Sequence, residues 1–283
     1  MNFPKVGREL EDIRQLVEQE HVAPEFRGRR VFFGCDIEIS RRYGISNTGA
    51  AQYVRAKANF LITETSDTHD LGLLMVSTAE AALSEISLRA RDIVLRCGIP
   101  LLIACDHTAS CCALLGVISS TEALPIYAYF DAHFDLGRNC RPGDLMHNGG
   151  FVGLILEENW VEGAVNIGGR SPATQLSIPL PQGFTSIPHT GLDLDTTFAS
   201  LRGKSLYVSI DADVLNPASA PNVCCPEPGG MSPENLLACC NWLGMNCRVL
   251  GADLSELFSS TASDGCEAHL VSCLIALTEP AAN

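Results

Sequence analysis

An α/β fold built on a parallel sheet with helices on both faces is what this sequence predicts, and three observations carry the prediction. The β-type runs are almost continuously apolar, the pattern of strands buried on both faces. Segments of helical period alternate with them, as βα units require. Acidic and imidazole side chains gather just past the ends of these runs, where open parallel sheets place their ligands.

The predicted strands, in chain order, are RRVFFGC (29–35), LGLLMVS (71–77), IPLLIAC (99–105), LPIYAYFD (124–131), GAVNIG (163–168), SLYVSID (205–211) and RVLGADL (248–254). The helix predicted over 77–98 opens on a Ser/Thr cap signal and stops at Gly98. That over 231–244 has Ser232 as its cap, Pro233 at its first position and Glu234 next. A third, over 263–278, starts at a Ser-Asp pair. The chain has 283 residues, 46% of them hydrophobic, which is enough to bury one large core. With no repeat and no low-complexity linker, residues 1–283 read as a single domain.

The formal net charge is -14. Such a chain repels phosphate backbones, so no nucleic-acid partner is expected; a cationic substrate would be attracted, although the same acidity serves solubility. No apolar run reaches membrane-spanning length, so no membrane partner is expected either. The opening MNFPKVGRELEDIRQLVEQE is charged and amphipathic, without the apolar centre of a signal peptide, so a cytoplasmic protein is expected. Among 13 cysteines none forms a C-x-x-C pair, while Cys111-Cys112, Cys224-Cys225 and Cys239-Cys240 are adjacent. Adjacent cysteines are poorly placed for ordinary disulfides, so the thiols read as reduced, buried small hydrophobes.

The chemistry begins at YFDAHFDLG (129–137), where an apolar run ends in Asp131, His133 and Asp135. In an extended chain, residues at alternate positions face the same way. SIDADVLNPASAP (209–221) places Asp211 and Asp213 likewise, and ACDHTAS (104–110) adds His107 with Asp106 behind it. One Asp-x-Asp at a strand end is an ordinary turn or cap, and one Asp-His says nothing. All three motifs, each just past an apolar strand, converge on one rim. Buried together, these carboxylates would repel one another without a cation. His107, Asp131, His133, Asp135, Asp211 and Asp213 suit two divalent ions. Oxygen-rich sites with imidazoles favour manganese over zinc, and such a pair activates water.

These motifs resemble those of the ureohydrolase family, which includes arginase, agmatinase and formiminoglutamase. DAHFD and SIDADVLNP match its metal motifs, CDHTAS its Gly-Gly-Asp-His-Ser segment, VNIGGRS (165–171) its Ile-Gly-x-Arg segment, and PGGMSPENL (228–236) its late Gly-Gly segment. The resemblance implies a three-layer α/β/α sandwich with a mainly parallel eight-stranded sheet and two Mn2+ per chain. His107 and Asp135 would share one ion's shell with Asp131 and Asp211. His133 and Asp213 would belong to the other, with shared carboxylates bridging. His147, in GDLMHNGG, matches the family's proton-relay histidine, and Glu256, in GADLSELF, its guanidinium-binding carboxylate. A homo-oligomer, trimer or hexamer, is a further implication.

Departures from the family pattern bear on the substrate. Ala104 and Cys105 replace two glycines, and Asn216 replaces an Asp that supports the second metal motif. Arginases acting on free arginine carry Asn where this chain has Gly137, Ser-Gly-Asn-Leu-His where it has GDLMH (143–147), and Asp where it has Ala173. The cleaving centre is therefore expected whole and the reader of a free amino acid missing. The expected reaction is metal-assisted hydrolysis of a guanidino group to urea and an amine. Glu256 would orient the guanidinium, Asp135 would protonate the leaving amine, and His147 would exchange protons with solvent. The expected partner is agmatine, another guanidino compound, or an arginine with blocked α-groups, as within a peptide. Competing readings are a formiminoglutamase-type amidine hydrolase, a non-catalytic binding module of the same fold, and a dinuclear phosphoesterase. The last lacks a Gly-rich phosphate cradle.

Overall fold

The computed structural model describes residues 24–39, 48–63, 67–137, 147–172, 179–191, 193–258 and 265–278. Its strands are β1 Arg30–Cys35, β2 Thr68–Leu73, β3 Ile99–Ala104, β4 Ile126–Phe130, β5 Gly163–Ile167, β6 Phe184–Ile187, β7 Ser205–Asp211 and β8 Arg248–Ser255. They form an 8-stranded sheet in the order β2-β1-β3-β8-β7-β4-β5-β6. Every pairing is parallel. The eight-stranded parallel sheet is the one expected, but its two edges differ from the sequence reading. β2 lies earlier than the predicted 71–77, because the apolar letters there belong to an exit loop in which Met75 is 96% exposed. β6, read FTSI, is a short half-polar edge strand with no periodic signal, and it was not predicted.

The helices are α1 Ala50–Lys57, α2 Asn59–Thr63, α3 Ala79–Leu95, α4 Thr108–Ile118, α5 Phe151–Glu157, α6 Leu194–Thr197, α7 Pro233–Asn246 and α8 Cys266–Ala276. They cover both faces of the sheet. On one face Phe32, Leu101, Val208 and Leu254 pack with Val54 of α1, Leu243 of α7 and Leu270 of α8. On the other, Val31, Phe33, Leu102 and Tyr207 pack with Ile86 of α3, Leu114 of α4 and Phe151 of α5. Neighbouring strand residues thus enter opposite cores, which is why the strands read as unbroken apolar runs.

Thr78 caps α3, its hydroxyl accepting from the Ala81 N–H at 3.2 Å. Ser232 caps α7 in the same way through Asn235 N–H, with Pro233 at the first helical position as predicted. The predicted cap of α8 at Ser263-Asp264 lies outside the described residues. α4 is apolar all round and nearly all buried, so it carries no amphipathic period and escapes sequence reading. No helix among the described residues is long and apolar enough to cross a membrane.

Candidate active site

The strands at the centre of the sheet, β3, β8, β7 and β4, deliver the site at their carboxyl ends. β3 ends at Ala104, and Asp106 then turns the chain into α4. One Asp106 carboxylate oxygen accepts the Thr108 N–H at 2.7 Å and the other the Ile39 N–H at 3.0 Å. His107, between them, projects from the start of α4 and is buried.

The backbone does not run extended through the Asp motifs, so strand alternation is not what groups their side chains. β4 stops at Phe130, and Asp131 Oδ1 accepts the His133 N–H at 2.6 Å. Asp135 has φ 50, so the chain coils rather than extends. β7 stops at Asp211, whose Oδ1 accepts the Asp213 N–H at 2.9 Å, and a 3-10 turn Ala212–Val214 follows. A short acid bonding its own backbone two residues on favours a turn over continued strand. Convergence survives because the turn curls each motif about its first carboxylate. The left-handed Asp135 also places its carbonyl where the Val152 and Gly153 N–H groups donate to it, at 3.1 and 3.2 Å, seating α5 against the motif.

All six predicted ligand-type residues meet. His107 Nδ1 lies 3.4 Å from Asp131 Oδ2 and 3.1 Å from both Asp135 Oδ2 and Asp211 Oδ2. His133 Nδ1 lies 2.8 Å from Asp213 Oδ2 and 3.4 Å from Asp131 Oδ1. Two groups result, His107 with Asp131 and Asp135, and Asp131 with His133 and Asp213, sharing Asp131.

The donor set fits divalent cations. Ser209 donates its hydroxyl proton to Asp253 Oδ1 at 2.6 Å, so it accepts the Nε2–H of His107 at 2.9 Å. The Nδ1 lone pair of His107 then faces three carboxylates. Nδ1 and Asp131 Oδ2 are both buried without a hydrogen-bond partner. Lone pairs and negative oxygens aimed at one point are costly unless a cation lies between them. The acids register the conflict. Burial and the charge of Asp131 push the Asp135 carboxyl up to about 7. Burial and Asp213 raise Asp211.

Glu256 is buried beside this cluster at φ 65, past the end of β8. Its Oε1 accepts the His107 N–H at 2.8 Å. Its carboxyl is pushed up to about 8, chiefly by burial and then by Asp106. His147 is also buried, and its Nδ1 accepts the Gly149 N–H at 3.0 Å, which leaves the ring proton on Nε2. Its loop is stitched to the ligand motif through Gly137 N–H, which donates to Gly149 O at 3.0 Å. Gly137 has φ 63, a left-handed position that suits glycine and asparagine. Residues 143–146 and Ala173 lie outside the described residues.

Several supporting residues were not read as part of the site. Ser209, Ser110 and Asp253 form a buried chain behind His107, with Ser110 Oγ donating to Asp253 Oδ2 at 2.5 Å. Glu227 Oε1 lies 3.5 Å from His133 Nε2. Arg170 spends its guanidinium on the carbonyls of Asp213, Val214, Leu215, Glu227 and Pro228. Its signal was the Arg of VNIGGRS. Asn166 Nδ2 donates to His133 O at 2.8 Å, a role that a polar letter inside a strand could have flagged.

A parallel α/β sheet with paired carboxylate–imidazole clusters at its carboxyl rim is the layout of a protein able to hold metal ions there. Residues 34–277 match the profile of the arginase family, and the chain belongs to that family. Among curated relatives, N(1)-aminopropylagmatine ureohydrolase of Thermus thermophilus is 30% identical over 135 residues, covering 46% of this chain and 45% of the relative. Agmatinase of Halalkalibacterium halodurans is 40% identical over 65 residues, covering 23% and 22%. The chain thus spans less than half the length of these curated relatives. Solved structures align over far more. Proclavaminate amidino hydrolase from Streptomyces clavuligerus superposes with TM-score 0.74 at 20% identity, covering 90% of this chain and 93% of that one. Agmatine ureohydrolase of Thermoplasma volcanium gives 0.73 at 18%, covering 95% and 96%. At such identities these structures establish the shared fold.

Proposed function

We propose that the protein hydrolyses a guanidino group to urea and an amine, on a substrate without a free α-amino acid end, of which agmatine is the simplest. The observation that carries this reading is the pair of clusters joined at Asp131 with the Glu256 carboxylate against them. The names of the curated relatives, agmatinase and aminopropylagmatine ureohydrolase, support the same substrate class. Another guanidino compound, or an arginine with blocked α-groups, meets the same requirement.

His107, Asp131, Asp135 and Asp211 would hold one divalent ion and His133, Asp213, Asp131 and Asp211 the other. Manganese is favoured by the oxygen-rich, imidazole-containing set. When bound, such ions supply a water activated at neutral pH and a Lewis acid beside it. The chain does the rest. Glu256, anchored through Oε1 on the His107 N–H, presents a carboxyl group of fixed orientation, and a planar cation against it brings its raised pKa back down and holds it as the carboxylate. Asp135, beside the position of the activated water, can carry its proton to the leaving amine. His147, held by the Gly149 N–H at Nδ1, would exchange protons with solvent through its ring. The excess of acid at the rim favours a cation over an anion.

Urea release from the manganese-loaded protein tests this reading, with agmatine, free arginine, guanidino acids and an arginine-containing peptide compared. Agmatine or a blocked arginine should be turned over well ahead of free arginine. Clear preference for free arginine would overturn the substrate assignment, and no urea from any guanidine at full metal occupancy would overturn the reaction.

A further inference from the structure

The cysteine pairs do not share one environment. Cys111, Cys112, Cys239 and Cys240 are buried as the sequence suggests. Burial pushes the Cys111 and Cys239 thiols up to about 12. Cys224 and Cys225 are only half-buried, with their sulfurs 3.9 Å apart. They lie in the wall of the candidate active site. The Cys224 N–H donates to Glu256 O at 3.1 Å, and its thiol hydrogen-bonds the Glu256 carboxylate. The Val223–Leu257 bridge and the Phe258 N–H bond to Asn222 O fasten the same segment to the chain beyond β8. On its other side, Cys225 lies near His133, Asp213 and Asp131. The Cys225 thiol donates to the Cys224 sulfur, whose own proton is held by Glu256, so Cys225 is the less tethered of the two. Cys240 and Cys273 also lie against each other, but both are buried between helices where an oxidant has no access.

We propose that Cys224 and Cys225 form a thiol modification site in the wall of the active centre, which a peroxide-class oxidant closes to a disulfide that halts hydrolysis. The effect on hydrolysis rests on the function proposed above; the site itself does not. The Cys225 sulfur attacks a peroxide oxygen and breaks the O–O bond, giving a sulfenic acid and one water. The Cys224 sulfur then displaces the sulfenic hydroxyl, which leaves as a second water. Two thiols are oxidised by two electrons and one peroxide is reduced.

An S–S bond of about 2.05 Å brings the two sulfurs much closer together. Neighbouring Cα atoms are only about 3.8 Å apart, below the usual disulfide span of about 4.4–6.8 Å. The ring is therefore strained and easily reduced, the property of a reversible site. Closure also removes the Cys224 thiol proton that hydrogen-bonds Glu256, the carboxylate proposed to hold the guanidinium.

The test treats the full-length, manganese-loaded protein with hydrogen peroxide. It maps the peptide containing residues 224 and 225 by mass spectrometry without reduction, beside urea release. The expected result is loss of two hydrogens in that peptide and an activity drop of about tenfold, the scale of a lost hydrogen bond to a charged group. Dithiothreitol should restore both. Cys225→Ser, compared with its own untreated rate, should resist peroxide and form no such bond. A pair that stays reduced under peroxide overturns the site, as does a disulfide that leaves urea release unchanged, or equal sensitivity in Cys225→Ser. If the disulfide forms while no guanidine yields urea even before treatment, the hydrolase reading fails instead.

Discussion

Ser209 and Asp253 sit side by side on β7 and β8, and the Ser209 hydroxyl donates to Asp253 Oδ1 at 2.6 Å. This bond sets the tautomer of a third residue, because it leaves Ser209 only an acceptor for His107 Nε2–H. Asp253 is fully enclosed and takes a further hydrogen bond from Ser110, so its carboxylate is a fixed anchor, though burial raises its pKa. Asp253→Asn replaces one acceptor oxygen with an N–H2 donor facing a hydroxyl donor. The expected outcome is a loss of about 10–100-fold in metal affinity, the usual scale for partners of metal-bound histidines. The circular dichroism spectrum should stay that of a folded chain. Isothermal titration with manganese checks it; an unchanged affinity would separate Asp253 from the site.

Arg170 acts at a distance from the chemistry. Its guanidinium reaches carbonyls on both sides of the segment after β7, from Asp213 O at 2.8 Å to Pro228 O at 3.1 Å. That segment carries Asp213 at one end and Glu227 at the other. Lysine has three donors on one nitrogen and cannot span a planar fan of acceptors. Arg170→Lys should therefore behave like Arg170→Ala, each costing about 1–3 kcal/mol through unsatisfied carbonyls. Thermal melts of both variants decide it, and a Lys variant as stable as wild type would contradict the clasp.

The legible part of this molecule is the part written in local chemistry. The central strands are apolar on both faces and so announced themselves; the edges β2 and β6, half-polar and half-exposed, did not. α7 was readable from Ser232 and Pro233, whereas α4, buried all round, has no polar face to betray its period. The six acids and imidazoles were found because Asp and His are conspicuous after apolar runs. Turns, and not the strand alternation that their spacing suggests, bring them together. Ser209, Asp253 and Arg170 matter through partners far along the chain, and no short window of sequence records that Ser110 and Asp253, 143 residues apart, share a proton.

Gly116 tests the packing behind the site. It lies in α4 where that helix crosses α3, and a Cβ there would run into the Ser87 carbonyl oxygen, with the Ala90 Cβ close by. Ser87 Oγ already donates to Cys112 O at 2.6 Å, so the crossing has little room to shift. Gly116→Ala gains helix propensity of about 1 kcal/mol, but overpacking against rigid backbone costs about 1–3 kcal/mol. The net expectation is a lower melting temperature. Because α4 carries His107 at its first turn, manganese affinity should fall as well. A variant more stable than wild type would show that the helices separate freely.

Asp131 belongs to both clusters and His133 to one, so their replacements should differ in stoichiometry as well as in activity. His133→Ala removes a donor from one proposed ion and leaves the His107, Asp131, Asp135 group whole. Asp131→Ala removes a donor from each. The expected manganese content after gel filtration is two per chain for wild type, one for His133→Ala and none held tightly for Asp131→Ala, with urea release abolished in both variants. Stability should follow occupancy, because a cation that binds only the folded chain adds about 2.7 kcal/mol at a hundredfold excess over its Kd. Wild type should therefore melt higher with manganese than after chelation, His133→Ala should keep part of the gain, and Asp131→Ala should keep almost none. Equal manganese content in the two variants would break the assignment of Asp131 as the shared carboxylate, and normal activity in either would break the assignment of the metal centre itself.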